Sequence, residues 1–211
     1  MVYRGRVGGP NSGERAPAVT DAVLVAASAG GLAALTSLLS ALPADFPAGV
    51  AVVQHIEPHH RSMLAEILGR SSPLSVTQAA DGQELGGGVV HVAPPDHHLL
   101  VDADGSLSLT RTELVHFVRP SADLLFESAA ASFGSRTIGV VLTGTGHDGA
   151  LGVEAIKGRG GTVIAQDEAT SEFFGMPGAA IETGAVDFVL PLDQIAEALS
   201  SLVAERNGRP A

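Results

Sequence analysis

"IGVVLTGTGHDGALGVEAIKGRGGTVIAQ", residues 138 to 166, holds the pattern from which the rest of the chain can be read. An apolar, valine-rich run (138–143) leads into a glycine loop, then a stretch with helical spacing (149–160), then a second apolar run (162–166). Two runs of strand length joined by a helix predict parallel strands, because a crossover returns the chain to the edge of the sheet from which it left. The same alternation extends outward. Apolar runs recur at "AVLVAA" (22–27), "VAVV" (50–53), "VVHVAP" (89–94) and "VDFVLP" (186–191). Helix-like stretches lie at 31–42, 61–70, 121–133 and 192–206. The expected fold is α/β, a mostly parallel sheet with helices on both faces. One piece breaks the rhythm. In "HHLLVDADGSLSLT" (97–110) two β-like runs flank Asp104-Gly105, which predicts a small antiparallel hairpin added at the sheet edge. The dipeptide-rich stretch at Met176-Pro177-Gly178 reads as a turn before a helix.

In such a sheet, ligands and chemistry gather beyond the carboxyl ends of the strands. Ser28 follows the first run, ahead of Ala29, Gly30 and Gly31; Gln54 and His55 follow the second; His147 and Asp148 stand in the glycine loop. A hydroxyl, an imidazole and a carboxylate on one edge, with helix N-terminal amides nearby, are the parts needed for nucleophilic acyl transfer. Each residue alone has a plainer reading. Ser28 suits a helix N-cap, His55 a half-buried structural histidine, and Asp148 a cap for a helix beginning at Gly149. Their joint appearance favours catalysis.

The loop also has a competing reading. Gly144, Gly146 and Gly149 spell the G-x-G-x-x-G of a dinucleotide-binding turn, with Asp167 downstream. Asp148 argues against it, since a carboxylate about 4 Å from a phosphate at an effective dielectric of about 20 is repelled by about 4 kcal/mol. That reading also leaves Ser28 and His55 without a role.

Composition narrows the partners. The chain has 211 residues, a net charge of −11 and 45% hydrophobic content, enough for one domain with a full core. Residues 1–20 carry three arginines against one glutamate, leaving −13 on residues 21–211. So acidic a body repels nucleic acid and anionic membrane surfaces. The absence of cysteine excludes disulfides, cysteine zinc sites and a thiol nucleophile, and it suits a cytoplasmic location. The uncharged stretch Ala22 to Ala44 is long enough to span a bilayer, but its glycines and hydroxyl residues, and its strand-then-helix spacing, predict a soluble element. Six histidines (His55, His59, His60, His91, His97, His98) raise a metal site, yet Pro58 interrupts any helix pairing His55 with His59; no metal and no cofactor are expected. The expected organisation is a disordered tail at 1–19, a catalytic domain at 20–206 and a short tail at 207–211.

Five motifs in order resemble the catalytic domain of the CheB-type chemotaxis methylesterases: "AASAGG" (26–31), "VVQHIEP" (52–58), "VRPSADLLF" (118–126), "VVLTGTGHDGALG" (140–152) and "AQDEATSEFFGMPGAAIETGAVDFVLPL" (165–192). The resemblance implies a doubly wound α/β fold and a protein-glutamate methylesterase that often also deamidates receptor glutamines. It implies Ser28 as nucleophile, His55 as general base and acid, and Asp148 as the orienting carboxylate. Backbone amides near Ala29, Gly30, Thr145 and Gly146 would hold the oxyanion, and a methylated receptor or other methylated helix would be the substrate. The sequence departs from the family's pattern at Ala26, Ala29, Thr145 and His147, where Gly, Thr, Met and Asn are usual. These changes bear on rate and substrate fit, and they keep a catalytically weak interaction domain as an alternative. Family members usually carry an N-terminal receiver domain; only about twenty residues precede the first strand here, so activity without phosphorylation control is expected.

Overall fold

The computed structural model describes residues 21–56 and 62–208. The expectations for the first nineteen residues, for Pro58, His59 and His60, and for the last three residues lie outside the described residues. Seven strands form one sheet: β1 (Ala22–Ala27), β2 (Gly49–Gln54), β3 (Ser75–Gln78), β4 (Val89–Val92), β7 (Thr137–Val141), β8 (Thr162–Gln166) and β9 (Phe188–Leu190). Their order is β3-β4-β2-β1-β7-β8-β9, and every neighbouring pair is parallel. The fold class expected from the alternation is therefore the one observed.

Why the central strands are almost wholly aliphatic follows from their position. β1 is buried along its length, and its side chains alternate between two cores. Leu24 and Ala26 face a layer built from α3 (Ala122–Phe133), α4 (Ala150–Gly158) and α5 (Gly175–Glu182). Val23, Val25 and Ala27 face α1 (Gly31–Ala41), α2 (Leu64–Gly69) and α6 (Leu192–Arg206). The uncharged stretch from Ala22 is thus a strand and an eleven-residue helix, and among the described residues no helix is long and apolar enough to cross a membrane.

The chain leaves β1 for β2 on one side, and β7 later pairs with β1 on the other. This is the topological switch point, where the connections part and open a crevice at the strand ends. Ser28, His55 and the glycine loop all follow the three strands that meet there.

The structure differs from the sequence reading at four places. β3 has no apolar run to announce it, because an edge strand of four residues buries little of either face. The helix expected at 61–70 is confined to Leu64–Gly69 among the described residues. Met176, Pro177 and Gly178 lie inside the first turn of α5 instead of preceding a helix; a proline there forfeits an N–H that has no intrahelical acceptor anyway. The hairpin forms as β5 (His98–Val101) and β6 (Leu107–Thr110), turning at Gly105 with φ +83°, but it does not extend the large sheet. It makes its own two-stranded sheet, with Leu99, Val101 and Leu107 packed in the same core as Leu125 and Ala129 of α3. One apolar face needs one cover, and the helix supplies it.

Candidate functional site

The sheet ladder continues one step past the strands into the site. His55 N donates to Ala27 O (3.1 Å) and Ser28 N to Thr143 O (3.0 Å), so the residues after β2, β1 and β7 are held level. Gln54, buried on β2, ties the ends together, its Nε2 donating to Ser28 O (2.8 Å) and His55 O (3.1 Å). A Cβ on Gly31 would come within 2.0 Å of Gln54 Oε1, so glycine is what lets this amide enter. Thr143 Oγ1 accepts from Phe173 N (2.8 Å) and, with a single proton, donates toward Ala29 O (3.0 Å) or Phe173 O (3.2 Å), joining three segments at one hydroxyl.

His55 and Asp148 come together as expected: His55 Nε2 donates to Asp148 Oδ2 at 2.8 Å. A carboxylate only accepts, so the proton sits on Nε2 and Nδ1 keeps a lone pair. Ser28 is half-buried, and its Oγ has no hydrogen-bond partner among the described residues, His55 included. Such nucleophile–base contacts are commonly long until substrate tightens them. Ser28 does not cap α1. The N-cap is Gly30, at φ +76°, without a side-chain bond.

The aspartate is held in a way the sequence did not announce. Gly149 is the N-cap of α4, yet Asp148 does not bond to that helix; it reaches back to the start of α3. Asp148 Oδ1 accepts from Ser121 Oγ (2.8 Å) and Asp123 N (3.2 Å), and Oδ2 accepts from Ala122 N (2.6 Å). Asp123, on α3, performs the converse service, its Oδ1 accepting from Gly149 N (2.9 Å) and Gly152 N (2.8 Å) at the start of α4. Two helices thus exchange their capping carboxylates, each favoured by the positive end of the other's dipole. Burial alone would raise the Asp148 pKa, but the hydrogen bonds from His55, Ala122 and Ser121 outweigh it and hold the carboxyl below its usual range. Asp148 is ionised at neutral pH. Asp123 shifts the other way, raised by burial and by the neighbouring Asp148 charge against the bonds from Gly152 and Gly149.

Ser121 and Asp123 are the members of this arrangement that site reasoning from sequence missed, and Gln54 was placed at the carboxyl edge without a role. The only local signal was Ser121-Ala122-Asp123 ahead of an apolar helix, an ordinary helix start. Behind Ser121 stands His98, fully buried, with Nδ1 accepting from Ser121 N (3.1 Å) and Nε2 donating to Glu113 O (3.0 Å). That pairing requires a neutral ring, and burial lowers the His98 pKa accordingly. His91 on β4 is likewise depressed by burial, and neither ring nitrogen has a partner. Both folded-state pKa values lie below the ordinary histidine value of about 6.5, so the unfolded chain takes up protons first as pH falls. Their stability contribution is complete above that value and is lost below it, by up to about 1.4 kcal/mol per pH unit for each histidine. Thermal unfolding measured at about pH 7.5 and about pH 5.5 is expected to show a clear drop in Tm at the lower value, and a flat profile would contradict the buried neutral assignment.

The glycine loop closes the site from the β7 side. A Cβ on Gly144 would lie 2.8 Å from Ser28 Cβ and 2.3 Å from Met176 Sδ, placing the loop directly against the serine and α5. Gly144→Ala is expected to cost about 1–3 kcal/mol of stability and to displace Ser28, read as a lower urea midpoint together with reduced turnover. The amides of Ala29, Gly30, Thr145 and Gly146 donate to no group among the described residues. Among those residues no three histidine or carboxylate side chains cluster as a metal site would require.

A doubly wound parallel sheet whose switch point gathers a serine, a histidine and a buried aspartate defines the class: an α/β domain with a Ser-His-Asp constellation. The comparisons with known proteins bear on the fold and the family. The CheB methylesterase family model matches residues 23–199. A protein of Symbiobacterium thermophilum named protein-glutamate methylesterase/protein-glutamine glutaminase is 44% identical over 183 residues, covering 87% of this chain and 51% of that protein. One from Anaeromyxobacter dehalogenans with the same activity in its name is 48% identical over 182 residues, covering 86% and 53%. The crystal structure of the Thermotoga maritima CheB methylesterase catalytic domain superposes with a TM-score of 0.83 at 41% identity, over 86% of this chain and 98% of that one. The chain belongs to the CheB methylesterase family. It spans about half the length of the curated relatives it matches.

Proposed function

We propose that this domain hydrolyses γ-methyl esters of protein glutamate, with Ser28 as nucleophile, His55 as general base and then acid, and Asp148 as the carboxylate that orients it. The observation that carries the reading is the 2.8 Å bond between His55 Nε2 and an ionised, helix-held Asp148 at the strand ends beside Ser28. That bond leaves His55 Nδ1 as the proton acceptor. Ser28 Oγ attacks the ester carbonyl while Nδ1 takes its proton, and the oxyanion falls to the unpartnered amides of Ala29, Gly30, Thr145 and Gly146. Such donors contribute about 3 kcal/mol each to the transition state. Collapse breaks the C–O bond, methanol leaves with the proton from His55, and water then cleaves the acyl-serine by the same steps. A glutamine side chain would follow the same path with ammonia as leaving group. The substrate is a methylated receptor or similar methylated helix, met in the cytoplasm; no cofactor enters the reaction.

The dinucleotide reading finds no support in this geometry. The α4 amides that a pyrophosphate would need, those of Gly149 and Gly152, already donate to Asp123. The direct test of the proposal is methanol release from methylated receptor fragments, compared with hydrolysis of a p-nitrophenyl ester. Release from the fragments that exceeds the generic ester by orders of magnitude in kcat/KM is expected; hydrolysis of neither would overturn the assignment.

A further inference from the structure

We propose that the turn at 115–118 is the lip on which the substrate helix docks, with Phe117 and Leu114 receiving an apolar side chain one helical turn from the esterified glutamate. The proposal rests on the methylesterase reading above and adds to it what the enzyme recognises.

Val115 and Val118 exchange both backbone bonds, Val118 N to Val115 O (2.9 Å) and Val115 N to Val118 O (3.2 Å). They enclose a two-residue hairpin turn at His116 and Phe117, with φ of +50° and +65°. Positive φ at both central positions is the signature of the type I′ turn, whose chemistry calls for Asn-Gly. A bulky aromatic in the second position is a conformational cost. Phe117 repays none of it by its own packing, since it is 93% exposed, and neighbouring Leu114 is 54% exposed. Strain retained without a packing return points to use elsewhere.

The turn is also held rigidly. Arg119, just after it, donates from Nε to Asp96 Oδ1 (2.9 Å) and from Nη1 to Thr112 O (2.6 Å), and Arg111 pairs with the other oxygen of Asp96. His116 Nε2 lies 3.3 Å from Asp123 Oδ2, which fastens the turn to the start of α3, the same turn of helix that holds Asp148. The backbone that carries Phe117 is therefore tied to the same helix start as Asp148.

Location supplies the occupant. A cavity of about 280 Å³, the size of one or two apolar side chains, has Ile56, Leu114, Phe117 and Pro120 in its wall together with His55 and the charged Asp96 and Arg119. His55 forms one wall of this cavity, whereas Ser28 lines a separate depression with Gly30, Gly31 and Gln54, so a segment whose ester carbonyl is served by His55 has the cavity on its His55 side. On a helix, residues three or four positions apart share a face about 5–6 Å apart, which puts a neighbouring Leu, Val or Met within reach of the lip.

The experiment uses the full chain and Phe117→Gly, a change that relieves the turn and so leaves folding intact or improved; Leu114→Ser is the second variant. Turnover is measured on a helical peptide bearing a glutamate γ-methyl ester with leucines four residues to either side, and on p-nitrophenyl acetate, which has no helix to dock. Phe117→Gly is expected to raise KM for the peptide about tenfold, to lower its kcat/KM relative to p-nitrophenyl acetate by the same factor, and to raise Tm. Peptide affinity is measured separately on Ser28→Ala with and without Phe117→Gly. Binding that weakens about tenfold supports docking even if no ester is cleaved, which would sink only the esterase reading. Unchanged KM and unchanged affinity in both variants overturns the lip. So does a dimer in sedimentation that Phe117→Gly dissociates, since the patch would then serve a second copy of the chain.

Discussion

Ser28→Ala is expected to reduce turnover of a glutamyl methyl ester by about 10⁵- to 10⁶-fold, the scale of losing the nucleophile of a serine hydrolase. Little else should change. Ser28 Oγ bonds to nothing among the described residues, whereas its backbone N–H and C=O carry the contacts to Thr143, Gly31 and Gln54 that hold the strand ends level. Alanine retains those backbone bonds. Tm within about a degree of the wild type, together with the loss of methanol release, is the expected pair of results. Turnover above about 1% of wild type on the true substrate would mean that the nucleophile lies elsewhere.

Asp148→Asn is expected to behave differently, and the contrast between the two variants is informative. Catalysis should fall about 10⁴-fold, because the neutral amide no longer fixes the His55 tautomer or stabilises the imidazolium. From the sequence alone the fold should survive untouched. The structure corrects this: the carboxylate accepts from Ser121, Ala122, Asp123 and His55, and an amide offers one acceptor oxygen where four donors converge. Leaving buried donors facing an NH₂ group costs about 1–3 kcal/mol, so the urea midpoint should drop measurably where that of Ser28→Ala does not. Under a dinucleotide-binding reading the same change would remove a charge near a phosphate and strengthen NAD(P) binding. Calorimetry showing dinucleotide affinity that improves in Asp148→Asn, with ester turnover absent from both proteins, would overturn the methylesterase assignment.

The two variants also mark where reading the sequence succeeds. The strands of the switch point were legible because parallel strands buried on both faces must be continuous aliphatic runs, and β1 and β8 match their runs at both ends. The positions of Ser28 and His55 were legible because the residue after such a run has nowhere to be except the carboxyl edge, and that of Asp148 because it stands in the loop joining β7 to α4. The elements missed, or misplaced at their start as α5 was, are those whose energetics are not local. β3 is too short and too polar to show a run, and α5 contains Gly175, Pro177 and Gly178, poor helix formers that hold their place through packing. A Cβ on Gly175 would lie 3.0 Å from Gly144 O, tighter than ordinary contact, so any larger residue there would press on the glycine loop.

The sequence by itself determined the class of fold and the strand edge at which Ser28, His55 and Asp148 stand, because periodicity and strand-end position are properties of contiguous residues. Only the tertiary structure decided how the aspartate is held. Asp148 and Asp123 lie twenty-five positions apart, and each caps the helix that the other one begins. A carboxylate ahead of a helix ordinarily caps its own helix, so local rules assign Asp148 to α4. The packing of α3 against α4 makes the cross-pairing available, and it gives each carboxylate two or more helix-start donors in the interior, where one left unpartnered would cost more than any local preference returns.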